Sequence, residues 1–280
     1  MNTKKKIALI TGASSGIGRV TAIELARVGF YVVLAGRSEK KYQGVIDEIN
    51  FLVGSNSCEW LCLDLQSLQS VKNCANIFLK TNRSLSLLIN NAGIAGLSGI
   101  TSDGFELGFG VNHLGHFLLT NLLLDSLKKP NNARIVTVSS NAHKHVKFID
   151  WDLLIKKTSS ITGVNEYATS KLANILFSRE LSKKLYGTNV STYCLHPGVV
   201  DTNIWHNLPV FLKPILKLRG MLTPQEGART TLYCSLDAPH NETGQYYSSE
   251  EISSPTYVAE SDALAMELWD RSYQWTRKFM

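Results

Sequence analysis

Short apolar runs alternate with longer amphipathic stretches along most of this chain. Ile7 to Thr11, Tyr31 to Ala35, Glu59 to Leu63, Leu85 to Asn90, Arg134 to Ser139 and Asn189 to Leu195 are short and apolar, the pattern of strands buried on both faces. Between them, Ile17 to Val28, Ser67 to Leu79, Phe105 to Leu127 and Glu166 to Tyr186 carry apolar residues at helical spacing. Strand and helix in alternation predict a parallel sheet with helices on both faces. Lys144 to Val164 breaks the period and reads as a loop ahead of a long helix. Asn203 to Thr223, apolar and basic with Pro209 and Pro214, reads as an inserted flap. No internal repeat, low-complexity tract or Pro/Gly-rich linker divides the 280 residues, which predicts one domain.

Composition narrows the class. Hydrophobic residues at 44% and charged ones at 19% fit a soluble globular protein with a full core. The formal net charge is +6, but apart from Lys4-Lys5-Lys6 the basic residues are scattered. That run reads as the solvated start of the first strand, so no nucleic-acid partner is expected, while the positive excess favours anionic ligands such as phosphorylated cofactors. The five cysteines are odd in number and have no paired spacing; Cys58 and Cys62 stand where a strand would bury them as reduced thiols. The apolar stretch from Phe117 to Leu124 is interrupted by Thr120 and Asn121 and falls short of the roughly 20 residues of a membrane span. With no secretory signal visible, a cytoplasmic location is expected.

The candidate chemistry sits at the ends of the predicted strands. After the first comes Thr11-Gly12-Ala13-Ser14-Ser15-Gly16-Ile17-Gly18, with glycines spaced G-x-x-x-G-x-G. In a doubly wound sheet a dinucleotide lies across the carboxyl ends of the strands. Gly12 makes the tight exit, Gly16 lets backbone approach the phosphates, and Gly18 allows close helix packing. Ser14 and Ser15 add hydroxyl donors, and Arg19 either helps them or faces solvent. The second strand ends Leu34-Ala35-Gly36-Arg37-Ser38, with an arginine where an NAD site needs a carboxylate for the ribose 2′-OH. A guanidinium pairs with a 2′-phosphate, which predicts NADP(H). Asp64 closes the third strand and either accepts from the adenine amino group or caps the next helix. Asn91-Ala92-Gly93 ends the fourth, where small residues let the adenosine ribose lie against backbone.

Tyr167 and Lys171 are four residues apart in a helical stretch, so phenol and ammonium share a face. A nearby cation lowers a phenol's pKa from about 10 and makes it a usable proton shuttle. Ser140 ends the fifth strand and can aim its hydroxyl at a carbonyl oxygen; alternation turns only one of Ser139 and Ser140 inward. Asn112 lies inside a helical pattern, which is unfavourable unless it hydrogen-bonds something, and it is assigned to a relay holding water beside Lys171. No metal-ligand spacing joins His113, His116 and His143, which read as packing or hydrogen-bonding residues.

With these motifs, and with Val111-Asn112-His113-Leu114-Gly115-His116-Phe117, Val138-Ser139-Ser140 before Ala142-His143, Ser170-Lys171-Leu172-Ala173-Asn174, His196-Pro197-Gly198-Val199-Val200, Leu222-Thr223-Pro224-Gln225-Glu226-Gly227-Ala228 and Glu267-Leu268-Trp269, the chain resembles the short-chain dehydrogenase/reductase family over essentially its whole length. Within it the likeness is to the retinol dehydrogenase-like group, which also includes the oxidoreductase domain of the WW-domain oxidoreductase. The resemblance implies an α/β fold: a single-domain, doubly wound parallel sheet of the Rossmann type. The apolar bulk of the flap, about 203–223, reads as a substrate lid or as a fixed surface helix closing the core. The resemblance also implies a catalytic tetrad of Asn112, Ser140, Tyr167 and Lys171, with the tyrosine protonating a carbonyl oxygen as hydride arrives from the nicotinamide. It places Ile17 and Leu65 in the cofactor site, and Val200 and Thr202, after Pro197-Gly198, against the nicotinamide carboxamide. Many microsomal retinol dehydrogenases begin with a hydrophobic anchor, whereas this sequence starts directly at the first strand.

The expected substrate is a lipophilic alcohol/carbonyl pair, retinol/retinal-like or another apolar carbonyl. Two alternatives stand beside this. One is reduction of an activated C=C bond, as in light-dependent protochlorophyllide reductases, which would carry a more cysteine-lined pocket and a longer insertion. The other is a non-catalytic NADP(H)-binding signalling protein, which would have no need of Tyr167 and Lys171 together. Lys213, Lys217 and Arg219 on the flap suit peripheral membrane contact, and a homo-oligomer is compatible with the sequence.

Overall fold

Alternate side chains of each strand enter two separate cores, one on each face of the sheet. In strand β1 (Ile7–Thr11), Ile7 and Leu9 join one core while Ala8 and Ile10 join the other. That two-sided burial is why the run reads as continuously apolar. The computed structural model describes residues 5–201 and 221–280. Among them the sheet has eight strands, adding β2 (Tyr31–Gly36), β3 (Cys58–Cys62), β4 (Leu87–Asn90), β5 (Ala133–Val138), β6 (Val190–His196), β7 (Tyr246–Ser248) and β8 (Glu251–Ile252). Their order is β3-β2-β1-β4-β5-β6-β7-β8, parallel up to β7, with β8 returning antiparallel. The sequence pattern found six of these strands within two residues at each end and missed the last two, which are too short for a periodicity to show.

One face is covered by α1 (Gly16–Arg27) and α2 (Glu39–Val53), and later by α6 (Pro224–Leu236). The other carries α3 (Leu68–Lys80), α4 and α5 (Val164–Lys184), with α7 (Asp262–Thr276) lying against α5. Helix α4 is composite: a turn at Leu107–Phe109, a π-helical stretch at Gly110–Leu114, and regular helix at Gly115–Leu127. Trp269 of α7 stacks on Phe177 at 5.9 Å and meets Phe117 edge-on at 4.9 Å. The final helix thereby completes the core between α4 and α5.

Parallel strands all point their carboxyl ends at one rim. The chain runs outward from β1 through β2 to β3, then crosses back to β4 on the other side of β1. The crevice opens at that reversal, where ligands bind in sheets of this kind. Every motif read at a strand end is thus delivered to one place. One expectation fails: Cys62 is exposed, because β3 is an edge strand and its last residue faces solvent, whereas Cys58, Cys74, Cys194 and Cys234 are buried. No described helix is long and apolar enough to cross a membrane.

Candidate active site

A cavity of about 640 Å³ follows the rim from Arg37 to Tyr167. Its walls include Gly12, Ser14, Ser15, Gly16, Ile17, Gly18, Arg37, Asp64, Leu65, Asn91, Ala92, Gly93, Ser140, Tyr167, Lys171, Pro197, Gly198 and Val200. These are all the residues expected there except Asn112, which lies behind the wall, and Thr202, which lies outside the described residues, as does residues 203–220 of the expected lid. The described ends of that segment meet: Asp201 N donates to Leu222 O at 2.9 Å and Leu222 N to Val199 O at 2.8 Å.

The first turn is built for close approach. Gly12 has φ +72°, and a Cβ there would sit 2.8 Å from Ala92 Cα; one on Gly18 would sit 2.5 Å from Asn91 Nδ2. Asn91 Nδ2 donates to Thr11 O at 2.8 Å, while Thr11 Oγ1 accepts from Asn91 N and Ala92 N at 3.0 Å each. The exits of β1 and β4 are thus knitted together. Ser15 at the start of α1 makes no side-chain cap, so the first-turn N–H groups face the crevice for an anion. A side chain at Gly12 or Gly18 would push into the exit of β4 and prise the turn open, so the glycines keep the turn tight enough for a dinucleotide pyrophosphate to approach its backbone.

At the end of β2, Tyr42 decides what can stand there. Its ring is buried, its hydroxyl donates to Ala35 O at 2.9 Å, and a Cβ on Gly36 would fall 2.1 Å from that hydroxyl. A side chain at residue 36 requires that ring to move. Arg37 is exposed at the crevice mouth with no salt bridge among the described residues, and Lys41 lines the same end. Sequence reasoning missed Lys41 and Tyr42; the signal was their place one turn beyond Arg37. Arg19 is paired with Glu48 of α2, outside the cavity wall. Asp64 is not the helix cap: Ser67 caps α3, and Asp64 Oδ1 accepts from Gln66 N at 3.0 Å.

The opposite end is formed by buried side chains. Tyr167 and Lys171 are both buried on α5, with the ammonium 5.6 Å from the phenol ring centroid. Lys171 Nζ donates to Val138 O at 2.9 Å, and Asn174 Nδ2 donates to the same oxygen at 3.1 Å. The expected lowering of the phenol by the lysine is overridden. Burial pushes Tyr167 up to about 12, opposed by a hydrogen bond from Ser140, and burial pushes Lys171 down to about 8. Of the two serines, Ser139 turns away and donates to Lys171 O at 2.7 Å, while Ser140 faces Tyr167.

Asn112 lies in the π-helical stretch, a distortion frequent at functional sites. Its Oδ1 accepts from Ile94 N at 2.8 Å, and its Nδ2 donates to Ile94 O at 3.0 Å and Ser170 Oγ at 2.9 Å. These bonds brace the loop after β4 against α5. His116 donates from Nδ1 to Asn112 O at 3.0 Å, so its Nε2 accepts from Thr11 Oγ1 at 2.9 Å. His113 Nε2 meets Ser272 Oγ of α7 at 3.1 Å. Both rings serve as hydrogen-bonding core residues.

Residues 6–152 and 155–210 match a family model described as short chain dehydrogenase. Retinol dehydrogenase 11 of Mus musculus is 40% identical over 279 residues, covering 95% of this chain and 85% of that protein. Dehydrogenase/reductase SDR family member 13 of Bos taurus is 40% identical over 276 residues, covering 95% and 72% respectively. A crystal structure of an uncharacterized protein from Mycobacterium paratuberculosis superposes with TM-score 0.78 at 34% identity, covering 97% of this chain and 93% of that one.

Proposed function

This chain belongs to the short-chain dehydrogenase family, and from that premise we propose that it is an NADP(H)-dependent oxidoreductase interconverting an alcohol and an aldehyde or ketone. The observation that carries the reading is a single cavity with Arg37 and Lys41 at one end and buried Tyr167, Lys171 and Ser140 at the other. Gly36, hemmed in by Tyr42, excludes the carboxylate that would favour NADH.

Gly12, Gly16 and Gly18 with the start of α1 would hold the pyrophosphate, and Arg37 and Lys41 a 2′-phosphate. When bound, the nicotinamide supplies or accepts the hydride. The protein's part is the proton. Tyr167 Oη, protonated throughout the neutral range, donates to the carbonyl oxygen of the substrate, and Ser140 Oγ donates a hydrogen bond to the same atom. Lys171 places its ammonium beneath the ring, so the charge left on the phenolate is met by a cation. Asn112 keeps the Gly93 loop fixed beside Lys171.

A lipophilic substrate is supported by exposed Leu97, Ile100 and Ile161 near the start of α5, where the backbone of Leu97 packs against Gly163. The test is oxidation of NADPH and of NADH with straight-chain aldehydes and ketones of increasing length. NADPH should be strongly preferred and longer carbonyls should have the lower KM. Arg37→Ala should weaken NADPH by about ten- to a hundredfold and leave NADH nearly unchanged. Equal use of both cofactors by the parent protein would refute the assignment.

A further inference from the structure

Ser140 is followed at once by a tight 3-10 turn, Asn141–His145, and three hydrogen bonds of that turn close on Ser140 itself. Its hydroxyl oxygen accepts from Ala142 N at 3.2 Å. Its carbonyl oxygen accepts from His143 N at 3.2 Å and from His143 Nδ1 at 2.7 Å. The His143 ring is fully buried and stands edge-on to Tyr246 at 5.3 Å. Its other nitrogen, Nε2, receives Thr256 N at 3.4 Å.

These partners leave one protonation state. A carbonyl can only accept, so Nδ1 carries the proton; a backbone N–H can only donate, so Nε2 is bare. Burial acts in the same direction, disfavouring the charged ring. The consequence reaches the hydroxyl. A hydroxyl has one proton and two lone pairs, and the Ala142 N–H occupies a lone pair. That bond fixes the oxygen and strengthens the O–H as a donor, because hydrogen bonds in series polarise one another. The bond exists only while the turn stays closed, and His143 bonds the turn's first carbonyl twice.

We propose that His143 is a positioning residue for Ser140, holding the Ser140–His143 turn so that the serine hydroxyl aims its proton at the substrate oxygen. Thr256, from the segment between β8 and α7, holds the ring in turn. The inference rests on the reading of Ser140 as the oxyanion donor. It assigns a task to a histidine that neither touches substrate nor transfers a proton.

The experiment uses the fact that an asparagine amide nitrogen falls near Nδ1 of histidine and a glutamine amide near Nε2. His143→Asn keeps the donor to Ser140 O; His143→Gln loses it while still reaching toward Thr256. With NADPH and a reducible aldehyde, His143→Gln should lower kcat roughly ten- to a hundredfold, the usual result of a displaced catalytic group, with KM for NADPH unchanged. His143→Asn should keep most of the parent kcat although both variants lose similar thermal stability. Adding His143→Gln to Ser140→Ala should then cost no further rate. Equal loss of kcat in the two variants, or additive losses in the double variant, would overturn the proposal. A crippled Ser140→Ala beside a fully active His143→Gln would remove this inference alone. A fully active Ser140→Ala would remove the reading of Ser140 beneath it. The parent protein gives a test free of folding defects: 15N shifts of the His143 ring must report a neutral ring protonated at Nδ1, and a proton on Nε2 would overturn the assignment.

Discussion

Replacing Gly36 with aspartate is the obvious way to turn this site toward NADH, and here the fold should resist it. A Cβ at residue 36 would lie 2.1 Å from Tyr42 Oη and 2.6 Å from two ring carbons. Separations near 3.5 Å are needed, so the tip of the ring must move by more than about 1 Å. Moving it breaks the 2.9 Å bond from Tyr42 to Ala35 O and disturbs a ring that is only 3% exposed. Ala35 O keeps a second donor, Gly12 N at 3.1 Å, so the orphaned group is the phenol hydroxyl alone. Overpacking typically costs about 1–3 kcal/mol and a lost hydrogen bond about 1 kcal/mol. The sum, roughly 2–4 kcal/mol, corresponds to a fall in Tm of roughly 5–10 °C for a chain of this size. Gly36→Asp should therefore lose stability and NADPH affinity together and gain little with NADH. In a Tyr42→Ala background, itself destabilised by about 3–5 kcal/mol, the same aspartate should add almost no further penalty and should bring measurable use of NADH. Urea unfolding of the four proteins gives the coupling energy, expected to exceed about 1.5 kcal/mol. Additive costs would show that Tyr42 does not control residue 36.

Two further outcomes follow from the buried groups. Tyr167→Phe should lower turnover by about two to three orders of magnitude, the scale of general acid catalysis, while NADPH binding followed by fluorescence is kept; substantial residual activity would remove Tyr167 from its role. Burial also lowers His113 to about 3 and His116 and His196 to about 4, from an ordinary 6.5. The unfolded chain then takes up protons first, so stability is full above about pH 6.5 and is lost as pH falls toward the folded values. Each ring contributes up to about 1.4 kcal/mol per pH unit, so urea unfolding should register a loss of roughly 3–4 kcal/mol between pH 6 and pH 5, and a flat profile would contradict the burial of these rings.

The parallel sheet and the contents of the crevice were legible because the two are one fact. Apolar runs bounded by Gly12, Gly36, Gly93 and Gly198 announce strands buried on both faces, and parallel strands bring those boundaries to one rim. What stayed hidden depends on contacts between distant segments. The phenol's raised pKa comes from burial, which the spacing of Tyr167 and Lys171 does not encode. Asn112 was singled out correctly as a mid-helix asparagine in need of partners, but the partners, Ile94 and Ser170, belong to other elements. Arg19 found Glu48 across a helix pair, a contact that neither sequence neighbourhood implies. Tyr42 was passed over altogether, and only the geometry reveals that its hydroxyl guards Gly36. The flap between Asn203 and Thr223 lies almost wholly outside the described residues, apart from its last three.

The pairing of Val200 with Leu222 has a consequence for how such a protein can diversify. Among the described residues it joins the chain on either side of residues 202–220 by backbone hydrogen bonds, before the capped start of α6 at Thr223 and Glu226. Backbone bonds do not read side chains, and the entropy of closing a chain between two fixed points depends weakly on how many residues lie between them: doubling that number costs only about 0.6 kcal/mol. The clip therefore fixes the two points between which any intervening stretch must close, whatever its length. In engineering terms the clip is a pair of anchor points written in the backbone, indifferent to the side chains strung between them.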